Sequence, residues 1–182
     1  MIGLFEGLRP QRYHESLVSI DVDELKSIGI KGLILDLDNT MIPRHTSSVP
    51  DELESWLARV REAGIAACIV SNNFKTRVAQ LAERLGLPLV ALATKPRRRA
   101  FYRGMEVLGT RADDTAVIGD QLFTDVLGGN RLGLYTILVM PLPGPELPHT
   151  AVLRRVERWL LRRWSRHSGL TLERRAGGGG EA

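Results

Sequence analysis

Two carboxylates one residue apart, Asp36 and Asp38, follow a short apolar run in this sequence. Alternate side chains of a strand share a face, so both acids would point the same way where the strand opens into a loop. Like charges this close are unfavourable unless a cation lies between them. The pair therefore indicates a metal site at the end of a strand.

Polar residues also stand at the ends of three further apolar runs. They are Ser71 and Asn72 after the second run, Lys95 after the third, and Asp120 and Asp125 after the fourth. Singly, each has an ordinary explanation as a helix cap, a surface charge or a turn former. Ligands bind outside the carboxyl ends of the strands in open parallel sheets, so their joint placement favours one catalytic site.

The residue types of this predicted site suit phosphate chemistry. Several carboxylates favour Mg²⁺, which prefers oxygen ligands and keeps positions for water and phosphate. A lysine and a hydroxyl facing that cation suit a phosphoryl group. One carboxylate can attack phosphorus while a second protonates the leaving oxygen and later activates water. Asp36 and Asp38 can divide these roles, so the expected substrate is a phosphate ester.

Alternating strand and helix patterns must position these residues. Strands are expected at about 32–37, 66–70, 88–92, 114–118 and 135–139. Helices are expected between them, at about 51–63, 75–86, 97–108 and 122–131. Continuous apolar strands separated by helices indicate an α/β fold with a doubly wound parallel sheet covered on both faces.

The 182 residues fit one domain of ordinary size with a tail. We expect residues 1–30 to be a lead-in packed on the body, residues 31–148 to be the main domain, and residues 149–182 to form a basic amphipathic helix with a disordered Gly-rich end. Only about ten residues separate Thr40 from the first predicted helix, so no cap domain fits there. An open site suits a large or surface-held substrate, or a homo-oligomer whose neighbour closes the cleft.

The positive charge is concentrated near the end of the sequence. From Thr150 onward eight arginines stand against three glutamates, a balance of +5, whereas the whole chain carries +4. One arc of the predicted helix is apolar and contains Val152, Leu153, Val156, Trp159, Leu160 and Trp164. The arginines Arg154, Arg155, Arg158, Arg162 and Arg166 fall mostly elsewhere. This pattern resembles an interfacial helix on an anionic membrane across 151–166, with docking on the body or on a second subunit as the competing interpretation.

Several function classes are disfavoured. The single cysteine, Cys68, lies in an apolar run and is expected to be a buried hydrophobe, so no disulfide framework forms within the chain. The four histidines show no ligand spacing for zinc. No apolar run reaches the length of a membrane span, and we expect a cytoplasmic protein with peripheral contact at the inner face of the membrane. No nucleic-acid partner is expected.

The ordered motifs resemble those of a known superfamily. Asp36-Leu37-Asp38-Asn39-Thr40, then Ser71, Lys95 and Gly119-Asp120-x4-Asp125, resemble the four motifs of haloacid dehalogenase (HAD) phosphatases. Ser71-Asn72-Asn73 and Thr94-Lys95-Pro96 are similar to the YqeG-like branch of subclass III. The resemblance covers roughly residues 15–142 and implies a capless HAD-type fold with Mg²⁺ as cofactor.

The resemblance also implies a role for each motif residue. It implies that Asp36 is nucleophile and metal ligand, and that Asp38 is general acid/base with a backbone carbonyl on the metal. Ser71, Asn72 and Lys95 would bind the phosphoryl group. Asp120 would complete the metal shell, with Asp125 as a supporting acid.

The substrate is predicted less directly. Arg97, Arg98 and Arg99 follow the predicted catalytic lysine and could form a cationic rim for a polyanionic substrate. Proteins of the resembling family include mitochondrial phosphatases that act on phosphatidylglycerophosphate, which makes this lipid the leading hypothesis. The alternatives are a soluble phosphatase acting on a nucleotide, sugar phosphate or phosphoprotein, and a non-catalytic module that binds anions.

Overall fold

The computed structural model describes residue 5 and residues 7–73, 76–144, 148–167 and 170–173. Seven strands within these residues form one sheet in the order β4-β3-β2-β5-β6-β1-β7, and all neighbouring strands are parallel. They are β1 (Arg12–His14), β2 (Gly32–Leu35), β3 (Ala66–Val70), β4 (Leu89–Val90), β5 (Thr115–Gly119), β6 (Tyr135–Val139) and β7 (Leu172–Glu173).

Six α-helices accompany the sheet within the same residues. They are α1 (Val22–Ser27), α2 (Asp51–Glu62), α3 (Thr76–Leu85), α4 (Arg98–Leu108), α5 (Leu127–Asn130) and α6 (Pro148–His167). A π-helical turn, Leu122–Val126, runs directly into α5. Short 3₁₀ turns cover Leu17–Ser19 and Ala112–Asp114.

Both faces of the central strand β2 are buried. Leu33 and Leu35 enter one hydrophobic core, which also contains residues of α2 and α3, whereas Ile34 enters a second core with Phe101 of α4. Side chains of a strand alternate between faces, so a strand covered on both sides needs an unbroken apolar sequence. The α/β class with a doubly wound parallel sheet is confirmed.

The order of the strands reverses direction beside β2. From β2 the chain moves outward to β3 and β4, then returns to β5 on the other side of β2. The backbone N–H of Asp36 still donates to the carbonyl of Ile118 in β5, at 2.9 Å. Such a switch point leaves a crevice at the carboxyl ends of the two strands, where ligands bind in this type of sheet.

The predicted elements are found close to their expected bounds, with three differences. The strand predicted at 88–92 is reduced to β4, because Leu92 adopts a left-handed conformation (φ 49°) and is 62% exposed. The helix predicted at 122–131 begins as a π-helical turn. Strands β1 and β7 were not predicted, because two or three residues are too short to show a strand periodicity.

Helix α6 presents a different face to the body than its apolar arc predicts. Leu160 and Trp164 are buried with Leu8, Leu122 and Leu138 in a third hydrophobic core. The other described members of the predicted arc, Leu153, Val156 and Trp159, are exposed. Arg154, which was expected to lie outside the apolar arc, is buried, and so is Glu157. The helix therefore divides its apolar residues between the body and solvent.

Three expectations from the sequence concern single features of the chain. Cys68 is fully buried, as predicted, and burial raises the pKa of its thiol to about 12. Among the described helices, none combines the length and apolar character that crossing a bilayer requires. The glycine run 177–180, which was expected to be disordered, lies outside the described residues.

Candidate active site

Lys95 links two carboxylates at the centre of the site. Its Nζ lies 2.6 Å from Oδ1 of Asp36 and 2.7 Å from Oδ1 of Asp125. Asp36 follows β2, Lys95 follows β4, and Asp125 lies in the π-helical turn after β5, so three separate segments meet here. The lysine side chain is only 3% exposed, which makes this a buried ion-pair cluster rather than a surface contact.

Thr40 lies between Asp36 and Asp120. Its Oγ1 is 3.3 Å from Oδ2 of Asp36 and 3.4 Å from Oδ1 of Asp120. The turn that returns Thr40 to this position uses Asn39 at φ 65°, a conformation that asparagine adopts more readily than most residues. Turn formation alone could explain Asn39 and Thr40 in the sequence, but in the structure Thr40 also contacts two of the predicted metal ligands, Asp36 and Asp120.

Asp38 is held by its own set of donors. Arg77 of α3 donates through Nη1 to Oδ1 of Asp38 at 2.7 Å, and Asn73 donates to Oδ2 at 3.1 Å. Arg44 lies 3.5 Å from the same Oδ2. The Arg77 guanidinium also donates to the carbonyls of Pro43 (2.9 Å) and Thr46 (2.7 Å), so it fastens the whole loop after β2.

Arg77 and Arg44 are site residues that the sequence analysis missed. Arg77 is 39 residues from Asp38 along the chain, and nothing in the local pattern of α3 indicates the contact. Arg44 lies in a loop without a regular period. An ion pair between residues that are far apart in the chain produces no recognisable spacing in the sequence.

Gly119 allows Asp125 to reach the lysine. A Cβ atom at position 119 would lie 2.3 Å from Cγ of Asp125, which is a severe clash. The π-helical turn then places Asp125 back over the strand, with its Oδ2 accepting from the backbone N–H of Gln121 at 3.3 Å. The predicted Gly-Asp-x4-Asp motif therefore has a steric as well as a chemical basis.

Ser71 and Asn72 both lie at the end of β3, but they make different contacts. Ser71 is buried, and its Oγ accepts from the backbone N–H of Asn73 at 3.1 Å. The amide of Asn72 pairs with the main chain of Lys95, accepting from its N–H at 2.6 Å and donating to its carbonyl at 3.1 Å. The Asn72 amide therefore holds the Lys95 segment, and its contact with phosphate stays a prediction.

The three arginines that follow Lys95 were predicted as a cationic rim for the substrate, and that role stays a prediction. Arg97, Arg98 and Arg99 are all exposed at the beginning of α4. Their placement leaves them accessible to a charged substrate.

The pKa values of the clustered side chains are shifted by burial and, in the opposite direction, by ion pairing. Burial raises the pKa of Asp36 to about 7, although Lys95 pulls it down. Burial alone would lower the pKa of Lys95, but the charges of Asp125 and Asp36 raise it above its usual range, so the lysine is cationic. Burial also raises the pKa of Asp120, against the opposing effect of Arg154. A second cation beside Asp36 and Asp120 would favour their ionised forms.

The donor set fits a hard divalent cation. Asp36 and Asp120 each direct one carboxylate oxygen towards Thr40, and both are almost completely buried. Within the described residues, no group of three or more His, Cys, Asp or Glu side chains could hold a metal by itself. Two carboxylates are nevertheless enough for Mg²⁺, which usually takes one or two carboxylates and completes its shell with water and phosphate oxygens.

Helix α6 reaches the same edge. Arg154 contacts both the carboxylate and the backbone carbonyl of Asp120, and Glu157 accepts from the backbone N–H of Leu122 at 2.8 Å. Burial raises the pKa of Glu157 to about 7, although Arg154 and the Leu122 N–H lower it. From the sequence, Arg154 was expected to lie outside the apolar arc, and these contacts were not predicted.

Comparison with known proteins agrees with this geometry. Residues 10–141 match the family model described as "Mitochondrial PGP phosphatase". "Probable phosphatase YqeG" of Bacillus subtilis (strain 168) is 40% identical over 152 residues, which cover 84% of this chain and 88% of that protein.

Two further similarities are more distant. Phosphatidylglycerophosphate phosphatase 1, chloroplastic, of Chlamydomonas reinhardtii is 31% identical over 156 residues, or 80% of this chain, but the match spans only 58% of that longer protein. The cobalt-bound deoxy-D-mannose-octulosonate 8-phosphate phosphatase of Haemophilus influenzae shares the fold, with a TM-score of 0.50 and 18% identity over 63% of this chain and 70% of that one. The family match and the Bacillus relative together show that this chain is a phosphatase and belongs to the PGP phosphatase family.

Proposed function

We propose that this phosphatase hydrolyses phosphatidylglycerophosphate at a membrane surface, with Mg²⁺ as cofactor and an aspartyl-phosphate on Asp36 as intermediate. The observation that carries the chemistry is the buried Asp36–Lys95–Asp125 cluster with Asp38 held separately beside it. Asp36 is therefore paired with Lys95, the cation that would face a phosphoryl group. Asp38 is paired with Arg77 instead.

In the first half-reaction, a carboxylate oxygen of Asp36 attacks phosphorus and the bond from phosphorus to the ester oxygen breaks. Asp38 gives its proton to the departing oxygen, which leaves as an alcohol. Lys95 balances charge on the phosphoryl oxygens, and the Ser71 hydroxyl donates to one of them. Mg²⁺, held by Asp36, Asp120 and the backbone carbonyl of Asp38, would offset the remaining negative charge on the phosphoryl group.

In the second half-reaction, Asp38 takes a proton from a water molecule as its oxygen attacks the phosphorus of the aspartyl-phosphate. The bond between phosphorus and the Asp36 oxygen breaks, and inorganic phosphate leaves. Both carboxylates then return to their starting protonation states. Arg77 keeps Asp38 in one place through both steps.

Three observations support a lipid substrate. The Chlamydomonas relative carries phosphatidylglycerophosphate in its name, and the family is described as a PGP phosphatase. Arg97, Arg98 and Arg99, which closely follow Lys95 in the chain, are exposed. Helix α6, which contacts the site through Arg154, exposes an apolar strip at the protein surface.

We define this apolar strip as Leu153, Val156 and Trp159, which are 40%, 40% and 55% exposed. Phe5 extends it by packing edge-on against Trp159, with ring centroids 6.4 Å apart. The exposed arginines Arg155, Arg158 and Arg162 flank the strip. Apolar residues that enter the acyl boundary, together with arginines that meet anionic headgroups, suit binding to a negatively charged bilayer.

The direct test is phosphate release from vesicles that contain phosphatidylglycerophosphate, compared with release from a soluble sugar phosphate, with and without Mg²⁺. We expect Mg²⁺-dependent release from the lipid and its loss on addition of a chelator. Asp36→Asn should abolish release from both substrates while leaving the far-ultraviolet spectrum unchanged. Rapid cleavage of the soluble ester without cleavage of the lipid would contradict the proposed substrate, and full activity of Asp36→Asn would contradict the nucleophile.

A further inference from the structure

Helix α6 contributes a buried arginine to the edge of the site. Arg154 is 7% exposed, whereas the other arginines among the described side chains of α6 are exposed; these are Arg155, Arg158, Arg162, Arg163 and Arg166. A buried guanidinium is unfavourable unless it is paired and hydrogen-bonded. The position of Arg154 therefore depends on the partners it finds there.

Those partners lie on both sides of Asp120. Arg154 donates through Nη2 to the carboxylate Oδ2 of Asp120 and through Nη1 to its backbone carbonyl. The same Nη1 lies 3.3 Å from Oε2 of Glu157, whose other oxygen accepts from the backbone N–H of Leu122. One turn of α6 thus holds both the side chain and the main chain around Asp120.

The two oxygens of the Asp120 carboxylate face different groups. Oδ2 meets the Arg154 guanidinium, whereas Oδ1 faces Thr40, which in turn faces Asp36. A planar guanidinium that grips a carboxylate oxygen and the carbonyl of the same residue restricts rotation of that side chain. Oδ1 is consequently kept towards the place that Asp36 and Asp120 share.

We propose that Arg154 is a positioning residue for the divalent metal, which it favours by fixing Asp120 with Oδ1 directed towards Asp36. The inference rests on the metal dependence in the proposed function and extends it to a residue outside the matched family region, residues 10–141. Groups that orient metal ligands in this way commonly change metal affinity by about 10- to 100-fold when they are removed. A second effect opposes this one, because the positive charge of a nearby guanidinium also repels the metal. Loss of positioning would raise the Mg²⁺ dissociation constant when Arg154 is removed, whereas loss of repulsion would lower it.

The test is the Mg²⁺ dissociation constant, measured by titration calorimetry on the full chain without substrate. Arg154→Ala should raise the constant about 10- to 100-fold, and Arg154→Lys, which retains the charge but not the fork, should lie between it and the wild type. Arg166→Ala removes the same charge from an exposed position of α6 and should leave the constant unchanged. Guanidinium ion, added far below denaturing concentration, should partly restore Mg²⁺ binding to Arg154→Ala.

A control variant is needed to distinguish loss of the Arg154–Asp120 contact from a general loosening of α6. Leu160→Val trims the buried side of α6 without touching Arg154 and should bind Mg²⁺ like the wild type. The inference is overturned by unchanged or tighter binding in Arg154→Ala, by equal weakening in Arg166→Ala or Leu160→Val, or by a failure of guanidinium to restore binding. Wild-type protein that binds Mg²⁺ but leaves the lipid uncleaved would contradict the proposed substrate alone.

Discussion

At the scale of single residues, the site gives different partners to two acids that have only one residue between them in the sequence. Asp36 shares Lys95 with Asp125, whereas Asp38 belongs to Arg77, Asn73 and the nearby Arg44. Adjacent carboxylates with the same partners would compete for one proton and one role. In the proposed mechanism, these different cations let Asp36 serve as nucleophile while Asp38 transfers protons.

Asp125→Asn should lower kcat about 100-fold without unfolding the protein, because it removes one of the two charges that position the Lys95 ammonium. The change keeps the size of the side chain, so the space beside Gly119 stays filled. Steady-state kinetics on an aryl phosphate would measure the effect. Asp113→Asn, at a position whose side chain is 74% exposed, is the matched control and should retain wild-type rates. An unchanged kcat in Asp125→Asn would remove Asp125 from the catalytic cluster.

At the scale of elements, helix α3 fixes the loop that carries Asp38. Arg77 lies in the first turn of α3 and makes three hydrogen bonds to residues between 38 and 46. The loop itself has little regular structure, so its geometry depends on this link from a neighbouring helix. If Asp38 transfers protons as proposed, its position depends on Arg77.

Arg77→Met should therefore lower the hydrolysis rate most for substrates whose leaving oxygen must be protonated. Hydrolysis of an alkyl phosphate, whose leaving oxygen is strongly basic, should fall more than hydrolysis of a nitrophenyl phosphate, because misplacement of Asp38 mainly impairs protonation of the leaving group. Arg84→Met, on an exposed part of the same helix, should change neither rate. Equal losses for both substrates would mean that Arg77 supports the fold rather than the proton transfer.

The sequence predicts the elements and motifs better than the links between them. The carboxyl ends of parallel strands share an edge, so strand order alone brings Asp36, Lys95 and Asp120 together. Arg77 and Arg154 contact their aspartates across 39 and 34 residues, and no local period encodes such pairs. The buried side of α6 differs from the predicted apolar arc for a related reason. An arginine on a helix normally indicates a face exposed to solvent. Arg154 is an exception because it pairs with the buried carboxylate of Asp120.

At the scale of the whole molecule, α6 joins the active-site edge to the surface strip. Its inner side carries Arg154, Glu157, Leu160 and Trp164, and its outer side carries Leu153, Val156 and Trp159. The same helix is therefore available to the metal site on one side and to a membrane on the other. If α6 binds a membrane, the edge of the sheet that carries the active site would face the lipid substrate.

The two sides of α6 should respond to mutation in opposite ways. Leu160→Ala should lower the free energy of unfolding by about 2–5 kcal/mol, because it opens a cavity against a fully buried site. Leu153→Ala should change stability by less than about 0.5 kcal/mol but weaken sedimentation with anionic vesicles. Denaturant unfolding and vesicle sedimentation measure the two effects. Unimpaired sedimentation of Leu153→Ala would exclude the strip as a membrane contact.

The pairing of β1 with β7 also bears on how the protein folds. Tyr13 is in register with Leu172, so this edge of the sheet joins residues from opposite ends of the described chain. Closing so long a loop is entropically unfavourable until the intervening sheet has formed, and contacts of this kind slow folding. We expect β2, β3 and β5 to assemble first and the β1–β7 edge to close late. Because α6 lies between β6 and β7 in the chain, the phosphatase would acquire its Arg154 contact only near the end of folding.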